Sequence, residues 1–175
     1  MNSRANGEYG FTVIEVIVVL IILGIIAAVF LNRMTENRAK VLGQAEVIRS
    51  HLRYTQTLAM NSDKASPGVW GIVFERDNNR YWLFYCDNPD NCDSGSAANR
   101  RILSGSDPRA DKTVYLSDVQ ITLNNGAIVA FDTFGRPYSD AHLQNPLSQD
   151  LQISISDAAS NSETINITPE TGFMQ

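Results

Sequence analysis

A chain of 175 residues that is 43% hydrophobic and carries a net charge of -5 has room for one modest folded domain besides an anchor. Its isoelectric point near 4.9 argues against non-specific nucleic-acid binding, which rests on cationic surface. The two cysteines, Cys86 and Cys92, do not make a zinc site, because no second Cys or His pair stands at ligand spacing.

Met1 to Gly10 (MNSRANGEYG) is short, polar and ends in glycine. Phe11 to Leu31 is then apolar throughout except for Thr12 and one carboxylate, Glu15. As a helix this run spans about 31 Å, the thickness of a hydrocarbon core of about 30 Å. An acidic or basic side chain at the centre of such a helix costs about 2.5 to 3.5 kcal/mol. Glu15 lies nearer the end, where the cost is smaller, yet it still needs a partner. The run has no Lys, Arg or His. The partner comes from the lipid interface, from another subunit, or from a new amine made by cutting the chain.

Gly10-Phe11-Thr12-Val13-Ile14-Glu15 resembles the processing site of type IV pilins and type II secretion pseudopilins. The resemblance implies that a membrane prepilin peptidase cuts between Gly10 and Phe11, that the new amino terminus at Phe11 is methylated, and that Glu15 pairs with such an amine during filament assembly. An amine at Phe11 and a carboxylate at Glu15 neutralise each other, within one chain or between neighbours, and so relieve the cost of an unpaired buried charge. An ordinary secretory signal has a positive start, an apolar run of about 7 to 15 residues and a small-residue cut site after it. Arg4 and Ala27-Ala28 match that description, but the length of the run and Glu15 do not. Arg33, Arg38 and Lys40 follow the run and by charge alone favour the opposite orientation; the processing motif outweighs that count.

From Asn32 to Met60 there is no proline, and Gly43 is the only glycine. Val41, Ala45, Ile48, Leu52, Thr55 and Ala59 recur at steps of three or four, the stripe of a helix lying on a core. Asn61-Ser62-Asp63 and Ser66-Pro67-Gly68 stop it. One long helix is therefore expected, residues 11–31 in lipid and residues 32–62 on a folded domain.

Residues 67–175 read as β. Val69 to Glu75 and Arg80 to Cys86, rich in aromatic and β-branched residues, form a hairpin across Asp77-Asn78-Asn79. Asp87 to Lys112 is a long polar stretch with a short strand near Arg101-Ile102-Leu103, and Thr113 to Leu116 is another. Val119 to Leu123 and Ala127 to Phe131 flank Asn124-Asn125-Gly126, the strongest hairpin signal in the chain. Asp132 to Pro146 is a loop, and Leu151 to Ile155 pairs with Thr164 to Thr168. Cys86 and Cys92 flank turn-forming residues. In the cytosol they are reduced thiols; beyond an inner membrane they close one local disulfide. Asp87 to Asp93 offers oxygens to calcium, but not at EF-hand spacing.

No catalytic constellation stands out. His51 and His142 are far apart, and neither a Gly-x-Ser-x-Gly elbow nor a phosphate-cradling glycine loop is present. Arg100, Arg101, Arg109 and Lys112 form a small basic cluster, read as solvated loop charge rather than a nucleic-acid contact.

The helix end Leu52 to Ala59, the segment Phe131-Asp132-Thr133-Phe134-Gly135-Arg136-Pro137 and the closing Glu170-Thr171-Gly172-Phe173 are similar to H-type minor pseudopilins of type II secretion and FimT-like minor pilins. That resemblance implies an α+β pilin-like fold, a long helix against antiparallel sheets, in a structural subunit without enzymatic activity or cofactor. It implies single-pass residence in the inner membrane with the β domain in the periplasm. The implied partners are prepilin peptidase, inner-membrane lipid and other pilins or pseudopilins. A minor pilin for adhesion, motility or DNA uptake, and a membrane-tethered binding module, are the alternative readings.

Overall fold

The structure, a computed structural model, describes residues 12–62, 68–106 and 111–175, without the side chains of residues 28–37. The chain divides into two units, Met1–Glu36 and Asn37–Gln175, and each is described by itself. Helix α1 covers Val13–Met60. In the first unit, its large apolar side chains from Val13 to Ile26 leave 47–78% of their surface exposed. Among the described residues no helix is long and apolar enough to cross a membrane. The 11–31 run read as the membrane half has both its ends, Phe11 and the side chains beyond Ala27, outside the described residues.

In the second unit, Val41, Ala45, Ile48, Leu52, Thr55 and Ala59 are all buried. Helical periodicity puts them on one face, and that face meets the inner faces of two sheets. The helix ends where Asn61 and Ser62 turn back on it: their side chains donate to the carbonyls of Thr57 (2.9 Å) and Leu58 (3.1 Å). Trp70 Nε1 then donates to Ser62 Oγ at 2.9 Å and ties the helix end to the first strand.

Strands β1 (Val69–Glu75) and β2 (Arg80–Cys86) form the expected hairpin, Val69 opposite Cys86 and Glu75 opposite Arg80. Short strands β3 (Arg100–Arg101) and β4 (Val114–Tyr115) line the far edge of β2. The expected strand at 101–103 is thus shifted; Leu103 leaves it to enter the core. Strand β6 (Ile128–Phe131) pairs with β1, and β7 (Pro137–Tyr138) with β6, giving the order β3-β2-β1-β6-β7 with β4 also on β2. The second sheet is β5-β8-β9, made of Gln120–Leu123, Leu151–Ser156 and Ser162–Ile167.

The hairpin expected at Asn124-Asn125-Gly126 does not form. Its flanks go to different sheets, β5 to β8 and β6 to β1. The reason lies in the flanks. Gln120–Leu123 alternates exposed and buried and suits a sheet with one wet face, whereas Ile128–Phe131 is nearly continuously buried and suits a sheet covered on both faces. Asn124 is drawn to β8, its Oδ1 accepting from Gln152 N at 2.9 Å and its Nδ2 donating to Asp150 O at 3.1 Å. Gly126, at φ +69°, turns the chain across to the other sheet. The 132–146 loop likewise contains a strand that the sequence reading lacks. Asp132 Oδ1 accepts from the amides of Phe134 and Arg136, both at 2.9 Å, and folds the chain into the tight β6–β7 hairpin.

Because both sheets close on the same helical stripe, truncation there opens a cavity in the shared core. Leu52→Ala is expected to cost about 2–5 kcal/mol, and Leu42→Ala, at an exposed helix position, no more than about 0.5 kcal/mol. Denaturant unfolding of the detergent-solubilised full chain measures both.

Candidate functional site

The amino-terminal residues that can be described are arranged by helix-capping chemistry. Glu15 N donates to Thr12 Oγ1 (3.3 Å), and Glu15 N and Val16 N approach Thr12 O at 3.1 and 3.3 Å. Thr12 is the N-cap and Glu15 the third helical residue, the Ser/Thr-x-x-Glu spacing of a capping box. Glu15 thus stands in the first turn, where the positive end of the helix dipole favours a carboxylate by about 0.3–1 kcal/mol. The signal for this cap in the sequence is the three-residue spacing from Thr12 to Glu15. Among the described residues no cation pairs with Glu15. Gly10 and Phe11, the expected cleavage and methylation positions, lie outside the described residues.

On the β unit, the sheet face turned away from α1 has its own small core. Val69, Trp82, Phe84, Ala130 and Ala141 pack there with Cys86 and Cys92. The two cysteines form a disulfide with Cα atoms 5.5 Å apart. Asn88 caps the short 3-10 turn Pro89–Asn91 between them by accepting from Asp90 N at 2.9 Å. A second loop lies against this one, because His142 Nδ1 donates to Pro89 O at 2.7 Å. That loop is held by Asp140, whose carboxylate accepts from the amides of His142, Gln144 and Asn145. His142 is therefore a strut between loops.

The basic cluster is likewise fastened to the fold. The Arg100 guanidinium sits 4.2 Å from the Trp82 ring centroid, and Lys112 Nζ donates to Arg100 O at 3.0 Å. Asp111 lies 3.6 Å from Arg80 and 3.7 Å from Arg100. Burial pushes its carboxyl pKa up, but hydrogen bonds from Thr113 and Tyr115 outweigh burial and leave it lowered. Arg101 lies over Tyr85. Arg109 is outside the described residues. Among the described residues no group of three or more His, Cys, Asp or Glu side chains is placed to hold a metal ion.

At the end of the helix, Gln56 Nε2 bridges Gly135 O at 2.9 Å and Thr171 O at 3.0 Å, and so joins the β6–β7 turn to the closing segment. Gly172, at φ +62°, approaches so closely that a Cβ there would lie 2.7 Å from Gly135 O. His51, on the same helix, is buried, with Nδ1 2.8 Å from Tyr81 OH. Burial holds its imidazole below the usual value, and burial pushes the Tyr81 phenol up. Neither the Gln56 bridge nor the His51–Tyr81 contact has a local signal in the sequence.

Residues 5–31 match the family described as the prokaryotic N-terminal methylation motif. The match contains Gly10, Phe11, Thr12 and Glu15, and it supports a type IV pilin-like prepilin, a structural rather than enzymatic class. No curated protein and no solved structure matches the chain.

Replacing both Cys86 and Cys92 by serine is expected to lower unfolding stability by about 2 kcal/mol, the loop-closure value for so short a link. A second expectation concerns pH. The His51 pKa is lower folded than unfolded, so the unfolded chain takes up the proton first. Stability is then fully present above the unfolded value of about 6.5 and falls as pH drops below it. Melting midpoints between pH 7.5 and about 5.5, where most carboxylates stay ionised, should decline in the parent chain and flatten in His51→Gln.

Proposed function

We propose that the chain is a minor pseudopilin of type II secretion, a structural subunit held in the inner membrane before it joins a filament. Residues 1–10 are the leader, residues 11–31 the membrane half of the helix, and residues 32–62 the half that carries the β domain, with residues 67–175 in the periplasm. Prepilin peptidase cuts between Gly10 and Phe11 and the Phe11 amine is methylated. The observation that supports this reading is the methylation motif at residues 5–31, which spans an apolar run whose large described side chains, from Val13 to Ile26, are exposed.

Glu15 is the register element. Its place in the first helical turn lowers the cost of the charge but does not remove it. A cationic amino terminus, its own or a neighbour's, completes the neutralisation once the leader is gone. The β domain supplies a rigid body for contact with other subunits, its two sheets held to one helix.

The mature protein isolated from its host should begin at a methylated Phe11, read by mass spectrometry of the amino-terminal peptide. Glu15→Ala should leave membrane levels unchanged and remove the subunit from sheared filaments. A membrane-tethered binder working alone would keep its function in Glu15→Ala, and that result would reject the filament reading.

A further inference from the structure

In β5, β8 and β9 the positions facing the core, among them Ile121, Ile153, Ile155 and Ile165, are buried. The alternate positions stand on the outer face and line up in rows across the sheet. Gln120, Ser156 and Ser162 make one row, and Thr122, Ser154 and Thr164 the next. Gln152 and Asn166 make a third, which Gln175 extends by exchanging both backbone hydrogen bonds with Asn166, at 3.0 and 3.1 Å. None of these residues is buried and none is charged, in a chain that is 19% charged. Glu163, the one charge in the three strands, falls on the other alternation. Asn166 Oδ1 is shielded from water and has no hydrogen-bond partner among the described residues, an acceptor left open.

At one end the rows run into a cavity of about 600 Å³. Asp150 and Thr168 continue the register by one step and line it, together with Thr171, Glu170 and Phe173. Met174 is buried, so alternation puts Phe173 on the outer side, where it is 57% exposed. Its turn is clamped. Phe173 N donates to Thr168 Oγ1 and Phe173 O accepts from Thr168 N, both at 3.0 Å, while Gln56 holds Thr171 O. None of the described lining residues is Lys or Arg, and among the described residues neither Asp150 nor Glu170 is paired with a cation.

We propose that this face and the cavity at its end bind an uncharged oligosaccharide chain, a property that goes beyond the filament reading. Sugar hydroxyls both donate and accept. Side-chain hydroxyls and amides do the same, whereas a carboxylate only accepts and an ammonium only donates. Covering uncharged polar groups also costs less than covering charges. At the end of the rows, Asp150 and Glu170 accept from hydroxyls and repel anions, which selects a neutral chain over an acidic one. The negative face of the Phe173 ring suits the C–H side of a sugar ring, and its clamped turn leaves little ordering to be lost on binding. The rows span about 20 Å along the strands and about 10 Å across them, room for an extended chain rather than one sugar. A basic peptide is the other ligand that two carboxylates attract, but the three rows beyond them hold no acid to meet its charge.

Tetramers of N-acetylglucosamine and of glucose, titrated at millimolar concentration into the full chain in a detergent without a sugar headgroup, test this by calorimetry and saturation-transfer NMR. At least one tetramer should bind. Phe173→Ala and Thr122→Val, both at exposed positions, should each weaken it by at least about threefold with the melting midpoint unchanged. Ile102→Ala, exposed but outside these rows, should bind as the parent does. The proposal is overturned if neither tetramer binds, if both variants bind as tightly as the parent, if tetragalacturonate binds as well as the neutral tetramers, or if tetralysine binds and the sugars do not.

Discussion

Both sheets of the β domain close on one helical stripe. Val41, Ala45, Ile48, Leu52, Thr55 and Ala59 form the surface on which the inner faces of β1, β2 and β6 and of β5, β8 and β9 meet. Separately, each sheet would show a wide apolar face to water. Folded on the helix they share one core, at roughly 25 cal/mol for each square ångström of apolar surface removed from water. Beside the stripe, His51 is buried against Tyr81, and burial holds its imidazole pKa below the usual value.

The outer face of the larger sheet is solved differently. Among the described residues no second α-helix covers it. Loops do, and loops bring polar backbone that must be satisfied. A disulfide, a histidine strut from His142 to Pro89, and carboxylates that collect amide protons do this work. Asp132 and Asp140 each accept backbone N–H groups from residues two to five positions ahead. The Arg100 and Lys112 charges are absorbed in the same cover, one against Trp82 and the other on a backbone carbonyl.

The amino-terminal unit poses the opposite problem. Its described side chains, from Thr12 to Ala27, are exposed and apolar but for Thr12 and one acid, Glu15, in the first turn. Thr12 and the first helical turn provide local stabilisation for Glu15. Local chemistry ends there: the helix dipole is a partial charge, and covering the apolar side chains takes lipid or other helices. A membrane-anchored prepilin that joins a filament would find both kinds of cover.

Read alone, the sequence determined what depends on neighbours along the chain. The methylation motif at residues 5–31, the helical stripe, the Asp77-Asn78-Asn79 hairpin and the Leu151-to-Thr168 pair are each written within a few turns or strands, and Cys86 and Cys92 lie only six positions apart. The tertiary structure decided what depends on distant partners. Asn124-Asn125-Gly126 has hairpin chemistry, yet its flanks join separate sheets because β6 finds better burial between β1 and β7 than beside β5. The burial pattern of the two flanks held that information, but only once the faces available to each were known. Gln56 reaches Gly135 and Thr171, and His51 reaches Tyr81, across gaps of 79, 115 and 30 residues. Turn propensities act over about four residues, whereas burial is settled by whichever surfaces the whole chain brings together. Sheet membership and these long-range contacts therefore belong to the fold.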